Sequence, residues 1–380
     1  MAKPNIQISK PCIGEEEYRE VRDVILSGWI TQGKSVFEFE QKFAIRHKIK
    51  YALATTSCTT GLHLILTAMN IGLGDEVIVP AFTWVATANV VLNCGATPVF
   101  VDVERDTYNI DPQLIAAKVT NKTKAIIPVH LFGLCADIDS IRAVISKHVK
   151  IIEDAACATG SIYKGQCAGT LGDAAAFSFH PRKVITTGEG GMVVTNDDEL
   201  AKRMNQMRNH GASIPEEQRH HGGKPYILPD FNLVGFNYRM TDMQGAIGVV
   251  QLDKLDNFIE ERAKWAKWYK EELSSIDWLQ LPKEPKNYKH SWQSFVTYVQ
   301  PELAPFPRNV IMEKLQEKGI STRPGTHAVH MLTIYKDKFN LKPNDFPEAK
   351  NCDENTMAIP LHNRMTKEDY EYIVHTLKNI

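Results

Sequence analysis

KAIIPVHLFGLCADIDSIRAVISKHVKIIEDAA occupies residues 124–156. The run 124–131 is apolar and rich in β-branched side chains, 137–148 carries apolar residues at helical spacing, and 150–156 is apolar again before Glu153 and Asp154. Strand, helix and strand in that order predict a crossover unit, the connection that joins parallel strands. The same grammar extends outward. EVIVP (76–80) and TPVFVDV (97–103) precede the unit, AAAFSF (174–179) and GMVVTN (191–196) follow it, and TTGLHLILTAMN (59–70) is a further helix pattern. This alternation argues for an α/β layer with a mostly parallel sheet, whose functional groups gather beyond the strand ends. A long helical pattern from Thr241 to Ser274, with Ile247, Val250, Leu252, Leu255 and Ile259 apolar, then leads to a small C-terminal α+β domain. The expected division is 1–250 and 251–380.

A chain of 380 residues is long for one core, which favours two lobes. Lys+Arg is 44 against Asp+Glu 45, so neither a basic nucleic-acid footprint nor an acidic tail is present. The opening MAKPNIQISKPCIGEEEYRE has no apolar signal core, and no apolar run approaches about 20 residues, so no membrane span is expected. Seven cysteines, odd in number and without a CxxC pair, predict reduced thiols in the cytoplasm rather than a disulfide framework. NHGASIPEEQRHHGGKPYILPD (209–230) reads as a long surface loop. Its adjacent His220 and His221 lack a nearby Cys or acidic pattern that would complete a metal site.

The simple motifs fail. No lysine follows the P-loop pattern, GxSxG is absent, and Gly188, Gly190 and Gly191 follow one strand only to enter another. What remains is a set. Glu153 and Asp154 close a buried strand, and buried carboxylates need a partner or a proton; a fixed cation at that strand end would serve. Ser178 and Lys183 follow further on. Ser57-Cys58-Thr59-Thr60 opens an apolar helix, whose free N–H groups suit an anion. A phosphate site, a carboxylate and a lysine fit pyridoxal 5'-phosphate (PLP): the amine forms a Schiff base and the carboxylate keeps the pyridine nitrogen protonated. On the residues alone, an α/β ligand-binding protein stands beside this reading.

Five blocks decide further: EEEYREVRDVILSGWITQGKSVFEFEQKFA (15–44), GDEVIVPAFTWVATANVVLNCGATPVFVDV (74–103), IIEDAACATGSIYKG (151–165), FSFHPRKVITTGEGGMVVTND (177–197) and GFNYRMTDMQGAIGVVQLDKLD (235–256). In this order, over nearly the whole chain, they resemble the DegT/DnrJ-type nucleotide-sugar aminotransferases, fold-type I PLP enzymes. The resemblance implies a three-layer large domain with a mostly parallel sheet plus a small α+β domain. It makes Lys183 the Schiff-base lysine and proton shuttle, Asp154 the partner of the pyridine nitrogen and Trp84 the aromatic on the cofactor ring. Ser57, Cys58 and Thr59 match the phosphate-binding helix start, and Ser178 matches a phosphate hydroxyl. Asn237 matches a phosphate ligand from the neighbouring subunit, which implies a homodimer with shared sites. Two positions depart from the family. Cys58 replaces a small residue, which requires φ < 0 there. Cys157 stands where relatives carry His, Gln or Glu near the ring oxygen, and a thiol is a weak hydrogen-bond partner. His180 steers substrate or is structural.

The implied activity passes an amino group from L-glutamate, through pyridoxamine 5'-phosphate, to a nucleotide-linked keto sugar. Lys183 must be neutral to act as base, and a setting of cationic or apolar groups would lower its pKa. ITTGEGG (185–191) and Thr322-Arg323-Pro324 with His327 and His330 resemble the 4-keto-6-deoxyhexose 4-aminotransferases, nearest the perosamine-synthase and UDP-linked groups of O-antigen and other amino-sugar pathways. Trp29, Arg239, Arg323 and His327 are the candidate contacts to sugar or diphosphate. A 3-aminotransferase and a UDP-4-keto-pentose aminotransferase remain alternatives. So does a sugar dehydratase, although such relatives carry a histidine where Lys183 stands. A non-enzymatic regulator is the remaining rival, and no helix-turn-helix or basic patch supports nucleic-acid binding.

Overall fold

Seven strands form the main sheet: β1 (Tyr51–Thr55), β2 (Glu76–Pro80), β3 (Thr97–Val101), β4 (Thr123–Ile126), β5 (Lys150–Asp154), β6 (Ala174–Ser178) and β7 (Gly191–Thr195). Their order is β1-β7-β6-β5-β4-β2-β3. The run β6-β5-β4-β2-β3 is parallel; β7 is antiparallel to both β1 and β6. This computed structural model describes residues 4–214, 226 and 228–380. His220, His221 and the middle of the 209–230 segment lie outside the described residues.

Successive strand residues face opposite sides, and here both sides are buried. Val77, Val79, Ala125, Ile152, Ala174 and Ala176 enter one core, while Ile78, Ile126, Ile151, Ala175 and Phe177 enter the other. The continuous apolar runs of the sequence are thus strands covered on both faces, the middle layer of three. Helix Cys58–Ala68 covers the first face, and its Leu62, Leu64, Ile65 and Leu66 are at most 1% exposed. Each such side chain contributes about 1.5–3 kcal/mol of transfer free energy. Gly61 allows this close approach: a Cβ there would lie 2.9 Å from Val193 Cγ1.

The pattern at 137–148 forms a shorter helix than expected, Ile138–Val144, capped by Asp137. Ile145 turns extended (φ −112°, ψ 156°), and the chain drops into the buried Val149 that leads to β5.

The long pattern forms helix Asp242–Glu272, opened by a reciprocal Thr241–Gln244 capping box. It runs straight through position 250. Its Leu252, Leu255, Phe258 and Ile259 belong to the large core, and its Ala266 and Tyr269 belong to a C-terminal core with Phe295, Ile311, Met357 and Tyr370. That second core lies on a three-stranded antiparallel sheet, Leu279–Gln280, Phe295–Val299 and Thr356–Ile359. Among the described residues no helix is long and apolar enough to cross a membrane.

Candidate active site

The strand register brings the expected residues to one edge. Asp154 ends β5 and pairs with Ala176, while Ser178 ends β6 opposite Gly191, which in turn pairs with Thr55 at the end of β1. Two residues past Thr55 lies Ser57, the N-cap of helix Cys58–Ala68; its hydroxyl accepts from Thr60 N–H at 3.1 Å and its own N–H donates to Thr60 Oγ1 at 3.0 Å. Cys58 is helical and is not among the residues with positive φ, so the φ < 0 requirement at this position is met. Thr59 is exposed at the next position.

Asp154 is 5% exposed. Its Oδ2 accepts from Thr87 Oγ1 at 2.8 Å, and its Oδ1 accepts from Ala156 N–H at 3.2 Å and weakly from Cys58 Sγ at 3.9 Å. Glu153, wholly buried, points the other way. Its oxygens accept from the N–H groups of Gly169, Leu171 and Gly172 at 2.6–2.7 Å and contact His130 Nε2 at 2.8 Å. Neither acid uses a lysine as its hydrogen-bond partner, although Lys183 lies close enough to Asp154 to feel its charge. Backbone N–H groups, a hydroxyl and a histidine satisfy them instead. Thr87 escaped the sequence reading. Its signal was its place one helical turn beyond Trp84, in the first turn of helix Ala86–Asn93.

Lys183 lies on the excursion between β6 and β7. Phe179 pins its base: Phe179 N–H donates to Gly190 O, and its carbonyl accepts from Thr187 N–H and Thr186 Oγ1. Gly188 has φ +84°, and Gly190 and Gly191 have no room for a Cβ, so the GEGG run serves close backbone approach. Lys183 Nζ lies 3.1 Å from Cys157 Sγ. Burial pushes the ammonium's pKa down. Cys157, by charge and hydrogen bond, and then Cys58 and Asp154 outweigh it, and the net direction is upward. The expected lowering does not occur, because the groups around the amine are thiols and a carboxylate rather than cations. Burial, then Asp154, holds the Cys58 thiol well above its ordinary value.

His180 Nδ1 accepts from Arg182 N–H at 3.2 Å, which leaves Nε2 to carry the proton. Burial lowers its pKa, so the ring is neutral near pH 7. Trp84 is 61% exposed, an unusual state for a tryptophan, and its ring centroid lies 5.6 Å from that of His327. A two-residue pairing, His327↔Thr83 and Ala328↔Phe82, brings them together. Arg323 is exposed beside its own Thr322 carbonyl. Trp29 Nε1 donates to Gln32 O at 3.0 Å, and Arg239 Nη1 donates to Asn209 Oδ1 at 2.8 Å. Asn237 is exposed, bridged to Asn209. Among the described residues, neither Arg323 nor Asn237 makes a hydrogen bond to Lys183.

Residues 11–378 match the DegT/DnrJ/EryC1/StrS aminotransferase family. The chain belongs to that family. GDP-perosamine synthase of Caulobacter vibrioides is 37% identical over 380 residues, 99% of this chain and 98% of that one. A Streptococcus pneumoniae protein described as a sugar aminotransferase, Spr1654, superposes in its pyridoxamine-phosphate form with TM-score 0.92 and 31% identity, covering 99% of this chain and 98% of that one. Its PLP form gives TM-score 0.91 at the same identity and coverage. A GDP-4-keto-6-deoxymannose-3-dehydratase, solved with bound GDP-perosamine, has TM-score 0.89 and 29% identity, covering 98% of this chain and all of that one. As a member of the DegT family the chain is a PLP-dependent transaminase. Its own donor set fits that cofactor: one amine, one buried carboxylate, a strand-end hydroxyl and a helix start converge on one sheet edge.

Proposed function

We propose that the chain transfers the amino group of L-glutamate to the 4-keto carbon of a nucleotide-linked 4-keto-6-deoxy sugar, as a homodimer with shared sites. One observation carries the reading. The Lys183 amine, the Asp154 carboxylate and the Ser57–Cys58 helix start come from three distant segments and meet at the carboxyl edge of a parallel sheet. The likeness to GDP-perosamine synthase supports the sugar class and favours a GDP-linked substrate.

Bound PLP supplies an electron sink for the charge that develops at the substrate's α-carbon. Lys183 Nζ would hold the cofactor and would move the proton at that carbon. Asp154, oriented by Thr87 Oγ1, keeps the ring nitrogen protonated. The N–H groups at Cys58 and Thr59, with Ser57 and Ser178, take the phosphate. Trp84 would cover the ring. His180 Nε2–H offers a donor to substrate. Trp29, Arg239, Arg323 and His327 receive the sugar and diphosphate, and Asn237 reaches the partner's phosphate. Exposed apolar Leu26, Ile30, Phe231 and Val234 support a second copy of the chain as their cover. Seven free cysteines support a reducing, cytoplasmic setting, with the product feeding an amino-sugar glycan such as an O-antigen.

The test is the visible spectrum of PLP-loaded protein. L-glutamate should discharge the lysine-linked band, and a GDP- or UDP-linked 4-keto-6-deoxy sugar should restore it. Lys183→Ala should abolish turnover while PLP stays bound non-covalently. Full activity in that variant overturns the role of Lys183, and a band indifferent to glutamate overturns the donor.

A further inference from the structure

One loop touches both sides of the Lys183–Cys157 contact. Residues His290–Ser294 lead into strand Phe295–Val299 of the small sheet, far in sequence from the site. Ser291 Oγ donates to the Cys157 carbonyl at 3.1 Å. Gln293 Nε2 donates to the Arg182 carbonyl at 3.0 Å. Cys157 holds the thiol at Lys183 Nζ, and Arg182 is the residue before Lys183. Both backbones that present this contact are therefore held from a single loop.

The loop's shape is itself constrained. Trp292 between the two donors has φ +52° and is 3% exposed. A buried, bulky side chain in the left-handed region persists only where its surroundings over-determine it. Arg262 supplies that determination by donating to the carbonyls of Trp292 and Leu361, each at 3.0 Å, and His290 stacks on the Trp292 ring at 4.1 Å. Across from it, Phe132 also has positive φ, and the carbonyls of Phe132 and Gly133 accept from Ser294 and Ser291 N–H. A Cβ on Gly133 would stand 2.4 Å from Ser291 Oγ, so the fit tolerates only glycine.

We propose that Ser291 and Gln293 are positioning residues for the Lys183 amine, fixing the backbones of Cys157 and Arg182 so that the amine keeps one place and one partner. This rests on the reading of Lys183 as the lysine that carries PLP. The groups that face the amine are Cys157, Cys58 and Asp154, with His180 on its own turn. Loosening Cys157 removes the strongest upward influence on the amine, so its pKa should fall.

The experiment uses the full-length protein, PLP-loaded for kinetics and stripped of PLP for acylation: wild type, Ser291→Ala, Ser291→Thr, Gln293→Ala, and Thr366→Ala. The last removes the cap of helix Lys367–Lys378, distant in the small domain, as a control for stability loss alone. Borohydride reduction and peptide mass analysis first identify the modified lysine; a lysine other than Lys183 refutes the functional reading and leaves the inference without its premise. With Lys183 confirmed, two quantities are read: kcat and KM with a nucleotide keto sugar, and the pH dependence of Lys183 acylation in PLP-free protein. Ser291→Ala and Gln293→Ala should each lower kcat about tenfold with KM within about twofold, since small misplacement of a reacting group costs rate more than binding. The acylation midpoint of Ser291→Ala should fall by about half a pH unit, the loss of part of one weak partner. Ser291→Thr should restore both. If the two alanine variants lose thermal stability as Thr366→Ala does while kcat and the acylation midpoint stay at wild-type values, the loop is structural and the proposal is wrong. A kcat loss without a midpoint shift in Ser291→Ala also refutes it.

Discussion

Gly191→Ala tests the phosphate end of the site, because Gly191 begins β7 directly against the Ser57–Cys58 helix start. A Cβ at that position would lie 2.4 Å from Ser57 C and 2.6 Å from both Cys58 N and Ser57 O. Carbon contacts need about 3.5 Å, so something must move by about 1 Å. All three near atoms are backbone, and Gly191 is itself fixed by ladder pairs to Thr55 and Ser178. No side chain can swing aside, so the helix start must shift, at an overpacking cost of about 1–3 kcal/mol. If those N–H groups hold the phosphate, the same shift loses one charge-assisted hydrogen bond, about 1.5–3 kcal/mol. That corresponds to PLP binding weaker by about 10- to 100-fold. Urea unfolding of PLP-free protein measures the first quantity, and titration of the visible band with PLP measures the second. Lost stability with wild-type PLP affinity would show that the helix start does not bind phosphate. Unchanged stability would refute the close approach itself.

Glu153→Gln should cost about 3 kcal/mol in urea unfolding, because a neutral amide puts an NH2 where two of its four donors now point at a carboxylate oxygen; a loss under about 1 kcal/mol would contradict the geometry. His47 predicts acid sensitivity. Its Nδ1 donates to Phe43 O at 3.0 Å, its Nε2 is buried without a partner, and burial depresses its pKa from 6.5 to about 4. The unfolded chain therefore takes the proton first: stability is full above pH 6.5 and falls as pH drops toward 4, by about 3 kcal/mol from this group. His290 and His362, depressed to about 3 and about 4, act with the same sign, so His47→Leu should flatten the melting-temperature slope below pH 6.5 without removing it. Parallel wild-type and variant curves would show that His47 does not titrate as its burial requires.

The layers of the fold were legible because they rest on local periodicity. Apolar runs such as KIIED and AAAFS had to be covered on both faces, and the capped pattern from Thr241 had to be one helix. The helix start at Ser57 was legible for the same reason, since its cap is made by Thr60, three residues on. What lay beyond local reading depends on distant segments. The Trp84–His327 approach rests on a two-residue strand pairing, and the Ser291 and Gln293 bonds join residues more than a hundred positions apart. The lysine's pKa direction was misjudged because it depends on which side chains arrive from elsewhere. The sequence places Cys157 and Cys58 in two separate blocks, and only folding sets both beside Lys183.

Glu153 and Asp154 show how much a period of two can hold. They are adjacent, so they face opposite sides of β5 and take different partners. Glu153 gathers three backbone N–H groups of the 169–172 turn and His130, on the side away from the site. That fixes the end of β5 from behind. Asp154, at the same strand end, then needs only Thr87 Oγ1 and Ala156 N–H to set its plane. A carboxylate proposed to hold a ring nitrogen must not drift, and for that its strand end must be fixed as well as its plane. The rigidity comes from its neighbour. On this argument Glu153→Gln should weaken PLP binding, read by titration of the visible band, as well as destabilise the fold, and wild-type PLP affinity in that variant would show that Glu153 does not help to aim Asp154.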